Sequence, residues 1–148
     1  MSDVMIRQGV FPVPIQDPFA DDSTQPFWDA ALRGKLAAAK CDKCGTAQLS
    51  RPPYCFVCQS RDFTWHDLPG TGAIYTFTVV RHPLRPQMQA AVPYVGAVIE
   101  LDGTQGAGAR IMANVIDCDP ELVRIGDRVE VEFERVSDTL AVPRFRLI

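Results

Sequence analysis

At 148 residues the chain has the size of one compact domain, or of a small module joined to a barrel-sized one, and two large domains are excluded. Hydrophobic residues make up 47% and charged residues 22%, which excludes a disordered chain and leaves enough apolar material for a packed core. The net charge of -3 argues against a protein held on a polyanion by bulk electrostatics, so nucleic acid is disfavoured as a partner.

Residues 1-25 combine Pro12, Pro14 and Pro18 with Asp17, Asp21 and Asp22, a composition that resists both helix and ladder and predicts an extended proline-rich arm. Its start, MSDVMIRQGV, lacks the basic-then-apolar layout of a secretory leader. No run in the chain reaches the roughly 18 apolar residues of a membrane helix. The expectation is a cytoplasmic protein without a membrane partner.

Pro26 suits a first helical position, Thr24 or Gln25 can cap it, and Gly34 can close the turn, predicting an N-terminal helix within 26-35. Leu36-Ala37-Ala38-Ala39-Lys40 has helical propensity, but it is held between Gly34 and a cysteine pair and is read as a short strand of a ribbon over 36-66. From residue 70 onward the apolar period becomes two, which predicts a barrel over 67-148. Tyr75, Phe77 and Val79 alternate with their neighbours, and Val95 to Leu101 and Ala109 to Ile116 repeat the pattern across the glycine-rich turn Asp102-Gly103-Thr104-Gln105-Gly106. Asp119 and Pro120 predict a short helical turn. Val129, Val131 and Phe133 then alternate with Glu130, Glu132 and Glu134, and Phe145 and Leu147 with Arg144 and Arg146. Five strands with a helical interruption before the fourth predict an OB-fold, a five-stranded Greek-key barrel, so the fold is mostly β.

Cys41-Asp42-Lys43-Cys44 and Cys55-Phe56-Val57-Cys58 are two Cys-x-x-Cys pairs with ten residues between them. A two-residue gap aims both thiolates of a tight knuckle at one ion, and two knuckles complete a tetrahedral four-sulfur shell. With no histidine and no open position the shell is saturated, which predicts one structural zinc in preference to a Lewis acid. Iron would accept the same ligands, and two disulfides are the other alternative; the reducing compartment and the attachment of the ribbon to a barrel favour zinc. Cys118, between Asp117 and Asp119, reads as an inert thiol. His66 and His82 have no nucleophile in a recognisable dyad, and no phosphate loop or dinucleotide fingerprint is present, so no catalytic residue is assigned.

These elements together resemble a known family, the domain-of-unknown-function proteins built from an N-terminal helix, a rubredoxin-like zinc ribbon and a C-terminal OB-fold. The resemblance covers about residues 26-148 and rests on PFWDAALRGKL, CDKCG, RPPYCFVC, GTGAIYTFTVV, PYVGAVIEL, IGDRVEVEFE and PRFR in that order. The arm over 1-25 is longer than the family's usual lead-in. The resemblance implies a non-catalytic accessory subunit that docks on a thiolase-like or aldolase enzyme and helps form or cover its acyl-CoA site, the partner making or breaking the carbon-carbon bond. In that family the ribbon and helix are implied to contact the partner. Coenzyme A would then be shared with the partner, since its phosphates need cations and its pantetheine arm an apolar tunnel. Lys43, Arg51, Arg61, Arg81, His82 and Arg85 are the candidates for CoA or partner contacts. Phe27, Trp28, Tyr54, Phe56, Leu84 and Met88 are the candidate interface anchors. The alternative is a zinc-ribbon and OB module that binds single-stranded nucleic acid, which the acidic strand Glu130-Glu132-Glu134 opposes.

Overall fold

The computed structural model describes residues 20-104 and 108-148. All but the last residues of the expected arm, and Gln105 and Gly106 of the expected turn, lie outside the described residues.

Helix α1 spans Gln25–Leu32, with Pro26 in its first turn and Thr24 at the N-cap. It closes in a Schellman arrangement: Gly34 N–H donates to Ala31 O and Lys35 N–H to Ala30 O, both at 2.9 Å. Three antiparallel strands follow in the order β2-β1-β3, where β1 is Leu36–Cys41, β2 is Ala47–Gln48 and β3 is Phe63–Leu68. The alanine run is strand, as expected, because tertiary packing overrides propensity. Leu36 to Ala39 are all buried, so both faces of β1 are covered. Short side chains there let α1, through its own buried Ala30 and Ala31, lie close on the strand.

The barrel consists of β4 (Thr71–Val80), β5 (Tyr94–Leu101), β6 (Arg110–Val115), β7 (Arg128–Arg135) and β8 (Ala141–Leu147). Its closed order is β4-β5-β6-β8-β7, with β6 and β8 parallel at Val115 and Phe145 and every other pair antiparallel. This is the five-stranded Greek-key closure of an OB-fold, as the alternation predicts. Gly72 is required by contact: a Cβ there would stand 2.5 Å from Glu100 O on β5. The expected helical turn is a single hydrogen-bonded turn, in which Asp119 Oδ1 accepts from Glu121 N–H at 3.0 Å.

One apolar cluster runs through both parts, joining Phe27, Leu36, Ala38 and Leu68 to Ile74, Ile99, Val129 and Phe145 of the barrel. Two interface candidates require correction here. Phe27 packs edge-on against Trp28 (centroids 5.0 Å apart, planes at 86°) and is only 7% exposed. Met88, in the 3-10 turn Pro86–Met88, folds back to 8% exposure. Neither keeps the surface an anchor needs; each serves this chain's own interior.

Candidate metal centre and ribbon surface

The two knuckles are near copies of one another. In the first, Gly45 N–H donates to Cys41 O (2.8 Å) and Cys41 N–H to Thr46 O (2.9 Å). In the second, Gln59 N–H donates to Cys55 O (2.9 Å) and Cys55 N–H to Ser60 O (2.7 Å). The residue after each pair has positive φ, 75° at Gly45 and 62° at Gln59. This repeated turn brings all four sulfurs within 4.8 Å of one another, with Cys41 and Cys58 at 3.5 Å and Cys44 and Cys55 at 3.6 Å. A zinc ion with bonds of about 2.3 Å to four thiolates separates its sulfurs by roughly 3.8 Å, so the cluster fits a structural zinc.

The sulfurs are electrostatically unequal. In the absence of a cation, the Thr46 hydroxyl, 3.2 Å from Cys44 Sγ, and then the Thr46 backbone N–H bring the Cys44 thiol down to about 6. Cys41 is also lowered, first by the Cys44 backbone N–H. At Cys58 the Ser60 backbone N–H acts to lower the thiol, but burial and the neighbouring sulfurs of Cys41, Cys44 and Cys55 outweigh it and push it up to about 12. Four thiolates therefore need a cation to coexist. A zinc with four thiolates carries two net negative charges, which the basic ribbon helps offset. Cys118 is raised by burial and then by Asp119 and Asp117, in keeping with an inert thiol.

The six candidate cations fall into two groups. Lys43, Arg51 and Arg61 are exposed on the ribbon. Lys40 Nζ holds that ribbon to Gly103 O (2.8 Å), beside the start of β4, where Asp102 N–H donates to Thr71 O (3.0 Å). Arg81, His82 and Arg85 follow the other end of β4, a strand about 30 Å long at roughly 3.3 Å per residue. The first group belongs to the ribbon that leads into β4 and the second to the loop that leaves it, and Arg81 is already paired with Glu121. The other barrel ion pairs are Arg110–Glu100, Arg128–Asp102, Arg144–Glu134 and Arg146–Glu130. By contrast, Lys43, Arg51 and Arg61 pair with no carboxylate among the described residues.

Of the remaining anchor candidates, Tyr54 and Phe56 are 52% and 57% exposed on the second knuckle, and Leu84 is 79% exposed in the loop after β4. Trp28 is half-buried. Sequence reasoning missed Val57, which is exposed beside Phe56, and Met112, which stands out from β6 over an apolar groove of about 270 Å³ lined by Val98, Gly96 and Thr78. It also missed Thr46, whose signal was its place two residues after a cysteine ligand.

Comparison with known proteins gives the family. Residues 28–64 match the rubredoxin-like zinc ribbon domain of ChsH2, and residues 65–134 its C-terminal OB-fold domain. A DUF35 domain-containing scaffold protein of Methanocaldococcus jannaschii is 36% identical over 104 residues, covering 70% of each chain. A probable enoyl-CoA hydratase alpha subunit of Thermomonospora curvata is 31% identical over 121 residues; the alignment covers 81% of this chain and 36% of that relative, about a third of its length. Among solved structures, a chain of the Ltp2-ChsH2(DUF35) aldolase superposes with a TM-score of 0.75 at 28% identity, covering 88% of this chain and 98% of that one. The chain belongs to the DUF35 family of zinc-ribbon and OB-fold proteins, as its helix, paired knuckles and five-stranded barrel resemble.

Proposed function

We propose that this chain is a non-catalytic accessory subunit that docks on a thiolase-like or aldolase enzyme and helps form or cover that enzyme's acyl-CoA site. The observation that carries the reading is its likeness over nearly the whole of a chain from the Ltp2-ChsH2(DUF35) aldolase. Local chemistry supports it. The four clustered cysteines make a complete ligand set, so a zinc held there keeps no open position for substrate. Tyr54, Phe56 and Val57 extend from this rigid tip as an exposed apolar cluster, the kind of surface a partner's pocket covers. Carbon-carbon chemistry on the acyl-CoA belongs to the partner in this reading, and coenzyme A is shared between the two chains.

The split of the cations narrows the CoA role. A single phosphate head engages one group, the ribbon set or the set after β4, and the ribbon set is the better candidate because none of its three cations meets a carboxylate among the described residues, whereas Arg81 of the other set is held by Glu121. The test is co-purification of the tagged chain from its native host, identification of the bound protein, and measurement of acyl-CoA cleavage by each chain alone and by the pair. The reading expects a thiolase-like or aldolase chain and full turnover only with both. A monomer that recovers no such enzyme overturns it.

Lys43, Arg51 and Arg61, which pair with no carboxylate among the described residues and share the ribbon with the exposed Tyr54 and Phe56, also suit the phosphates of a single strand. Against this, Asp42 N–H donates to Asp62 O (2.9 Å), which sets two acidic residues side by side among those cations. Salt-sensitive binding of single-stranded DNA would favour the nucleic-acid module; no binding at low salt excludes it.

A further inference from the structure

The two knuckles differ in the use they make of one hydroxyl. Thr46 and Ser60 occupy matching positions, each two residues after the second cysteine of its pair and each giving its carbonyl to the N–H of the first cysteine. In the first knuckle, Thr46 Oγ1 lies 3.2 Å from Cys44 Sγ. In the second, Ser60 Oγ accepts from the Asp62 N–H at 3.3 Å. The two second cysteines differ as well: Cys44 is exposed, whereas Cys58 is half-buried. Cys41 and Cys55 are 2% and 0% exposed. The hydroxyl contact therefore falls on the ligand that water and competing chelators reach most easily.

We propose that Thr46 is a positioning residue for the metal, holding the exposed Cys44 thiolate in its coordinating orientation and thereby setting how tightly the ribbon keeps its zinc. The inference rests on the zinc reading of the four-cysteine cluster. Once Cys44 is a thiolate, the Thr46 hydroxyl becomes the donor, and a charge-assisted bond to sulfur both restrains the side chain and takes up part of its negative charge. Thr46 is itself only 7% exposed, so the packing around it fixes the direction of its hydroxyl. Loss of a polar partner behind a metal ligand commonly weakens metal binding by about 10- to 100-fold. Ser60, engaged elsewhere, supplies no such restraint.

The experiment compares wild type with Thr46→Val, Thr46→Ser and Ser60→Ala in the full chain. Zinc affinity and the rate of zinc transfer to a coloured chelator are measured first. The absorption of the cobalt-substituted protein then reports the metal-thiolate bonds directly, and far-ultraviolet circular dichroism of the zinc-loaded forms checks folding. Thr46→Val is expected to bind zinc about 10- to 100-fold more weakly, to release it correspondingly faster and to shift the cobalt-thiolate band. Thr46→Ser, which keeps the hydroxyl, is expected to stay within about threefold of wild type, as is Ser60→Ala. The proposal is overturned if Thr46→Val keeps wild-type affinity and spectrum, if Thr46→Ser is as weak as Thr46→Val, or if Ser60→Ala is equally damaging. Should Thr46→Val fail to fold, Thr46→Ala read against Thr46→Ser gives the same decision. A wild-type chain without affinity for zinc would refute the zinc reading itself, a result distinct from any difference among variants.

Discussion

Gly45 and Gln59 stand at the same point of the two knuckles, with φ of 75° and 62°, and the N–H of each donates to the carbonyl of the cysteine four residues earlier. Only the first site has the residue that this conformation favours. For a residue with a Cβ the left-handed region costs roughly 1–2 kcal/mol. Gly45→Ala meets that strain but restricts the unfolded chain, worth about 0.5–1 kcal/mol, so it is expected to destabilise the zinc-loaded protein by about 1 kcal/mol. Gln59→Gly relieves the strain but loses about 0.5–1 kcal/mol to the unfolded chain, leaving a small net gain. Denaturant unfolding at fixed free zinc measures both, and equal signs for the two substitutions would contradict the equivalence of the knuckles.

Zinc binding has a pH dependence whose sign follows from the thiols. Because burial and the neighbouring sulfurs push the Cys58 thiol up to about 12, it carries a proton at neutral pH that zinc must displace. Each proton displaced weakens binding about tenfold per unit fall in pH. Below about 6 the Cys44 thiol is protonated as well, and the slope is expected to steepen by a further factor of about ten per unit. Competition titrations with a chelator of known proton affinity, taken between pH 5 and 8, give the slope. A flat profile contradicts thiolate ligation.

Asp102 meets both Arg128 and the Thr71 hydroxyl, and first the Arg128 hydrogen bond, then that of Thr71, hold its carboxyl below the ordinary range. Since the folded value is depressed, the stabilisation is present above the unfolded value near 3.8 and is lost as pH falls through the folded one. The side chains of Asp102 and Arg128 are 35% and 48% exposed, so solvent screening limits the effect to under about 1 kcal/mol. Asp102→Asn should lower stability by that amount at pH 7, with the difference shrinking in high salt and vanishing at low pH. Urea unfolding across pH shows whether it does.

The corrected anchors separate docking from packing. Phe27→Ala removes a buried ring from the shared core and is expected to cost about 3–5 kcal/mol of stability. Phe56→Ala and Tyr54→Ala remove exposed rings, so stability should hardly change, while affinity for the partner enzyme falls by about 2 kcal/mol or more for whichever residue is a hot spot. Thermal unfolding and binding titration on the same three variants distinguish the roles. Loss of stability in Phe56→Ala without loss of binding would remove the ribbon tip from the interface.

The parts of this molecule set by local spacing were legible in the sequence. Two Cys-x-x-Cys pairs announce the knuckles, and the alternation through Tyr75, Val129 and Phe145 announces the barrel. Features set by register between distant residues were not. Glu130, Glu132 and Glu134 read as an acidic strand, yet the hairpin aligns Glu130 with Arg146 and Glu132 with Arg144, so arginines run beside those acids. Arg144 Nε donates to Glu134 Oε2 (2.9 Å) and its Nη1 to Asn114 Oδ1 (2.7 Å), which ties β8 to β7 and β6 through one buried guanidinium. The acidity of this strand is thus largely matched by the arginines of β8. The burial of Phe27 and Met88 was hidden for the same reason, since it depends on where a helix and a proline-rich loop fold back.

Metal analysis of the purified chain, paired with a thioester assay on the same sample, tests the central claim most directly: four sulfurs clasp one zinc as a structural element, and the chain does no chemistry alone. The account predicts one zinc per chain, a colourless solution and no turnover of acyl-CoA. A chain without stoichiometric zinc, a coloured iron centre, or thioester turnover by the isolated chain would contradict it.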